Sequence, residues 1–137
     1  MQRKDQKAHV LVVDDDKNNC DFFFRLLTEQ GYQVFTTTKS LEALAIAANN
    51  SIDLVLLDIK LPDLDGIETL KRLKKLDKDL TVIMLTAYGS LATARDAMAL
   101  GAYDYITKPF DLKFVKKVVK NGIEERVSWK HPSMVEG

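Results

Sequence analysis

Two hydrophobic periods alternate five times along this chain, and few folds accept that pattern. Short apolar runs rich in Val, Ile and Leu lie at residues 9–14, 32–37, 52–58, 80–86 and 102–106, which predicts five strands, the second being the most polar. Between them, apolar residues recur at helical spacing: Cys20, Phe23, Phe24 and Leu27; Leu41, Leu44, Ala45 and Ala48; Ile67, Leu70 and Leu73; Leu91, Ala94 and Met98; Val115, Val118 and Val119. Ser40, Ser90 and Asp111 stand where N-caps are wanted, and Gly31 and Gly101 where a left-handed residue ends a helix. Strict strand-helix alternation calls for right-handed crossovers and a parallel sheet covered on both faces, and the continuous apolar run "IDLVLLD" suits burial on both sides. The expected fold is a doubly wound α/β sheet of five parallel strands with five helices.

With 137 residues, the chain is long enough for one well-filled domain and short for two. Twenty Lys and Arg balance twenty Asp and Glu, which removes a global electrostatic case for nucleic acid or an anionic membrane and points to a local site. A single cysteine, Cys20, cannot form an internal disulfide, and no stretch has the length of a membrane span or a signal sequence, so the cytoplasm is the expected compartment. Residues 8–127 are expected to be the folded unit. The last ten, "SWKHPSMVEG", lose periodicity and read as a tail, linker or cloning remnant at 128–137.

The first apolar run ends in three acids, "VLVVDDD". Adjacent carboxylates repel one another and are costly to desolvate, so their place at the end of a core strand needs a compensating positive charge. In an open parallel α/β sheet, ligands bind beyond the carboxyl ends of the strands. Asp14 and Asp15 close the first strand, Asp58 the third and Thr86 the fourth, and Lys108 follows the fifth by two residues. Convergence of three hard oxygen donors there suits a small divalent cation such as Mg2+. Asp16 is read as the N-cap of the first helix.

The segments "VVDDD", "LVLLDIKLPDLDG", "TAYGS" and "YITKPF", in this order and spacing, resemble the receiver domain of bacterial two-component response regulators over roughly residues 8–124. The resemblance implies strand order 2-1-3-4-5. It further implies Asp58 as phosphoacceptor, Asp15 as direct Mg2+ ligand, Asp14 as a ligand through water, and the backbone carbonyl of Lys60 as another. Thr86 corresponds to the hydroxyl that contacts the phosphoryl group, Lys108 to the cation that pairs with it, Tyr105 to the aromatic switch residue, and Pro109 to a cis-proline. The implied donor is a phosphohistidine on a sensor histidine kinase or a histidine phosphotransfer protein. His9 and His131 sit at a strand start and in the tail, and neither is a convincing internal donor.

The chemistry agrees, because phosphoryl transfer asks mainly for a positioned nucleophile, a metal and a fixed ammonium. Other classes fit poorly. An EF-hand begun at Asp14 would place Asn19 where Gly is needed and Arg25 where Glu is needed. A flavin carrier would need a phosphate loop where the acids stand, and a haloacid-dehalogenase phosphatase would need an acid at Lys60. The expectation is a signalling domain that acts catalytically only on its own phosphorylation. "FFF" at 22–24 is read as core packing, Cys20 as an inert buried thiol, and "KRLKK" at 71–75 as a solvated helix face, not a nucleic-acid contact.

The expected output is control of transcription through an effector outside this chain. "TAYGSLATARDAMALGAYDYITKPF" resembles receivers that precede ATPase-type transcription activators, whereas "LVLLDIKLPDLDGIETLKRLK" resembles free-standing, sporulation-type relay receivers. The resemblance also implies a switching face, and a homodimer surface, made of the fourth helix, fifth strand and fifth helix. By the same resemblance, Lys60 and Tyr88 occupy the two positions that flank the route of an attacking water, and their bulk implies a long-lived phosphoprotein.

Overall fold

The computed structural model describes residues 7–87 and 91–130, so Ser90, expected as an N-cap, and Tyr88 lie outside the described residues. The elements alternate as β1 (His9–Val13), α1 (Lys17–Glu29), β2 (Gln33–Thr37), α2 (Ser40–Asn49), β3 (Leu54–Asp58), α3 (Gly66–Leu76), β4 (Thr81–Thr86), α4 (Leu91–Ala99), β5 (Asp104–Thr107) and α5 (Leu112–Lys130). All neighbouring strands pair in parallel, in the order β2-β1-β3-β4-β5. This is the expected sheet.

Alternate strand residues feed two cores. Val10, Val12, Leu54, Leu56, Ile83 and Leu85 pack with Phe23 and Leu27 of α1 and Val115 and Val119 of α5. Leu11, Val13, Val55, Leu57, Val82 and Met84 pack with Ala43 of α2, Leu70 and Leu73 of α3, and Ala97 of α4. The polar strand, β2, lies at an edge and alternates in burial, which explains its weaker apolar signal. Five of the apolar positions at helical spacing instead face solvent: Phe24, Leu41, Ala45, Ala48 and Met98. Phe22 and Phe23 do pack, meeting Phe110 at ring separations of 6.4 and 4.8 Å.

Gly31 and Gly101 adopt φ of 94° and 104°, the left-handed conformation expected at both helix ends. After α4, Gly101 N–H donates to Met98 and Ala102 N–H to Ala97, so Ala102 serves the helix end and β5 starts at Asp104, two residues later than the apolar run predicts. Asp16 caps α1 by accepting from Asn18 N–H at 2.8 Å, and Asp111 accepts from Lys113 and Phe114 N–H at the start of α5. Ser40 departs from expectation: it is the first residue of α2, and its hydroxyl donates to Leu64 in the β3–α3 loop. Helix α5 continues through Lys130, past the expected edge at Val127, and the sequence offers no helix breaker between Gly122 and Pro132. At the amino end of the sheet the buried Arg126 joins α5 to Asp77 (2.9 Å) and Asp53 (3.4 Å), an ion network absent from the sequence reading. No described helix is long and apolar enough to cross a membrane.

Candidate functional site

The parallel sheet brings the carboxyl ends of β1, β3, β4 and β5 to one edge, and the polar residues expected there converge. Asp14, Asp15 and Asp58 each offer a carboxylate oxygen, all within 4.8 Å of one another. Asp14 is fully buried, Asp58 is 4% exposed, and Asp15 stands exposed at the mouth. Backbone pairing fixes these positions, since Asp14 N–H donates to Thr37 O at 3.2 Å and Ile59 N–H to Leu85 O at 3.2 Å.

Protein donors already occupy both Asp14 oxygens: Oδ1 accepts from Asp16 N–H at 2.9 Å and Oδ2 from the Asn19 amide at 3.1 Å. Asp58 Oδ1 accepts from Lys60 N–H at 3.1 Å, and Oδ2 accepts from Lys108 Nζ at 3.3 Å. The same ammonium lies 3.8 Å from Asp14 Oδ2. Lys108 N–H donates to Thr86 O at 2.9 Å, which ties the β5–α5 loop to the end of β4, and the Lys108–Pro109 peptide is cis. Thr86 is buried, with its hydroxyl donating to Ala87 O at 3.0 Å. Tyr105 is half-buried against the core on the α2–α3–α4 side.

Burial pushes the Asp58 carboxyl up to about 6; the Asp14 charge adds to the rise, while Lys60 N–H and Lys108 oppose it. Burial raises Asp14 as well, against the opposing effects of Asp16 N–H, Lys108 and Asn19. Three clustered carboxylates against one ammonium leave net negative charge in a dry site. An all-oxygen donor set of this kind fits Mg2+, which takes few carboxylates and keeps waters or phosphate oxygens in its remaining positions.

The response regulator receiver domain family matches residues 10–120. This chain belongs to that family. The receiver is 40% identical over 111 residues to sporulation initiation phosphotransferase F of Bacillus subtilis, covering 81% of this chain and 90% of that protein. It is 42% identical over 106 residues to the transcriptional regulatory protein ZraR of Klebsiella oxytoca, covering 77% of this chain but only 24% of the relative. Among solved structures, the receiver superposes on a CheY-like receiver from Methanospirillum hungatei with a TM-score of 0.86 at 33% identity, covering 90% of this chain and 98% of the other. NtrX of Brucella abortus gives 0.89 at 33% identity, covering 93% of this chain and 30% of NtrX.

Sequence reasoning missed three contacts in and around this receiver site. Asn19, weighed only against a calcium loop, holds Asp14. Gly66 lets the start of α3 press against the backbone of Asp58, since a Cβ there would lie 2.4 Å from Asp58 O; the Asp-Gly pair at 65–66 was its available signal. Asp63 bonds to residues 22 and 23 positions earlier, which no local pattern announces. Cys20 is buried as expected, with burial and the nearby Asp14 charge pushing its thiol up to about 11.

The raised Asp58 carboxyl predicts a pH-dependent stability cost in the metal-free receiver. Its ordinary value is 3.8, so between about pH 4 and 6 the folded state binds more protons than the unfolded chain, and stability falls as pH rises. Above that window the cost is on the order of 3 kcal/mol. Asp58→Asn is therefore expected to stabilise the protein in EDTA by on the order of 2 kcal/mol at about pH 7.5, with most of that gain gone near pH 4.5. Urea unfolding at the two pH values checks this, and an equal gain at both contradicts it.

Proposed function

We propose that this receiver accepts a phosphoryl group from a partner's phosphohistidine onto Asp58 and converts that charge into a changed surface, with control of transcription as the output. The observation that carries the reading is Asp58 itself, buried at the end of β3 with the Lys108 ammonium 3.3 Å from one oxygen and the acid pair alongside. In the transfer, an Asp58 oxygen forms the new P–O bond while the P–N bond to the histidine breaks, and the departing imidazole keeps the electron pair and takes up a proton. Lys60 N–H holds the carboxylate in place, and Lys108 stands ready to pair with the transferred oxygens. Asp15 and Asp58 would hold Mg2+ directly, with the Lys60 carbonyl as a further ligand and Asp14 through water. The ion, when bound, would neutralise charge on the phosphoryl oxygens.

The test is incubation with Mg2+ and a small acyl phosphate, followed by intact mass measurement. A single phosphoryl adduct is expected in the native sequence and none in Asp58→Asn; an undiminished adduct in the variant refutes the reading. A second reading, relay of the phosphoryl group to another histidine protein, draws on the likeness across nine-tenths of the sporulation phosphotransferase. Under either reading the domain turns over no external substrate beyond its own phosphorylation and dephosphorylation. The compartment is the cytoplasm, the partner a sensor histidine kinase or histidine phosphotransfer protein, and the unit runs from residue 8 to the end of α5 at Lys130. Nucleic-acid contact belongs to an effector.

Switching would run through Thr86 and Tyr105. Drawing the Thr86 hydroxyl from Ala87 O toward a phosphoryl oxygen frees space into which Tyr105 rotates, reshaping the α4–β5–α5 face for an effector or a second receiver. Amide exchange of a fluoroberyllate complex is expected to change in residues 91–110, and no change there contradicts the switch. Lifetime would be set by Lys60 and Tyr88 shielding phosphorus from water. The joint variant Lys60→Asn, Tyr88→Glu is expected to lose its phosphoryl group roughly tenfold faster, as measured by decay in Mg2+, because access of an in-line water is worth at least that much. Equal decay removes shielding as the cause.

A further inference from the structure

The loop that leaves Asp58, residues 59–65, is fastened at its base and at its tip. At the base, Gly66 N–H donates to Ile59 O at 2.7 Å. At the tip, Asp63 reaches to another helix: Oδ1 accepts from Ser40 N–H at 2.9 Å and from Leu64 N–H at 3.0 Å, and Oδ2 accepts from Leu41 N–H at 3.0 Å. Ser40 Oγ returns a bond to Leu64 O at 2.5 Å. The N-cap residue of α2, Lys39, makes no side-chain cap bond, so the amino end of that helix is capped by this distant carboxylate. The α2 N–H groups hold the Asp63 carboxyl below its ordinary range.

Between the two fastenings lies Lys60, whose N–H orients the Asp58 carboxylate. We propose that Asp63 is a positioning residue for the cation site: by clamping the loop tip to α2, it holds the Lys60 backbone where its N–H meets Asp58 and its carbonyl faces the metal. This rests on the reading that Asp14, Asp15 and Asp58 hold Mg2+. Without the clamp the loop keeps only its base, and its backbone must be ordered each time the ion binds.

A merely structural Asp63 would cap α2 and nothing more, and a control separates the two. Ala45→Gly, exposed in the middle of α2, weakens the helix without touching the loop. Mg2+ affinity is read by titrating amide chemical shifts well below the melting temperature. Asp63→Ala is expected to weaken Mg2+ binding by about tenfold, as loss of a group that orients a metal ligand does. Asp63→Asn, whose amide oxygen still accepts, should recover part of the loss, and Ala45→Gly should match the native protein. In metal-free protein, Asp63→Ala should also speed amide exchange at Ser40, Leu41, Lys60, Leu61 and Leu64. Native affinity in Asp63→Ala, or an equal loss in Ala45→Gly, overturns the proposal. Absence of Mg2+ binding in the native protein overturns instead the reading on which it rests.

Discussion

Asp15→Ala is expected to abolish Mg2+ binding and transfer to Asp58 together. Asp14 is poorly placed to take over as the direct ligand, because it is fully buried and is held in its present orientation by Asp16 N–H and the Asn19 amide. Asp58 then remains as the one direct carboxylate ligand, and its oxygens also accept from Lys60 N–H and Lys108. Asp15 is the exposed member of the trio, and its oxygen can swing onto an ion with little desolvation cost. Its removal should reduce Mg2+ affinity roughly a hundredfold or more, since losing a carboxylate ligand exceeds the effect of losing a group that merely orients one. The fold should remain, as exposed substitutions stay within about 0.5 kcal/mol. An amide-shift titration in Mg2+ checks the first point and urea unfolding the second. Retained affinity in a folded variant would place the ion elsewhere.

The second large effect is expected at Gly66. A Cβ there would lie 2.4 Å from Asp58 O, 2.6 Å from Ile59 Cα and 2.9 Å from Ile59 O, all of them backbone atoms with no rotamer through which to retreat. Either α3 moves outward or the end of β3 shifts, and both disturb Asp58 and the loop that follows it. Gly66→Ala should cost about 3 kcal/mol, toward the upper end for overpacking. That is a large share of the roughly 5–15 kcal/mol that holds a domain together, and it should lower Tm by about 10 °C. Phosphorylation by acyl phosphate should slow as well. A melting temperature within about 2 °C of the native protein would show that the contact relaxes at little cost.

Most of the fold was legible because two periods, 2.0 and 3.6, are printed in the residues that feed the two cores, and because Gly31 and Gly101 mark helix ends by a conformation other residues resist. The strands' carboxyl ends were legible for the same reason, and with them the gathering of Asp14, Asp15, Asp58, Thr86 and Lys108. Illegible were the contacts that join elements far apart in sequence. Asp63 looks like a turn residue in "LPDLDG", and its partners on α2 become neighbours only once the sheet has ordered its strands. Arg126 looks like any charged helix residue until α5 lies across the sheet, where it meets Asp53 and Asp77. Periodicity also overstates burial at the rim of a helix face, which is why Phe24, Leu41 and Met98 emerge into solvent.

The most direct test of the account is to locate the transferred group. After phosphorylation with acyl phosphate and Mg2+, borohydride reduces an aspartyl phosphate to homoserine, and peptide mass mapping finds the altered residue. The account predicts homoserine at position 58 alone, in a peptide spanning the end of β3. Homoserine at Asp14 or Asp15, or an unaltered Asp58 in protein that carries the phosphoryl mass, would contradict it.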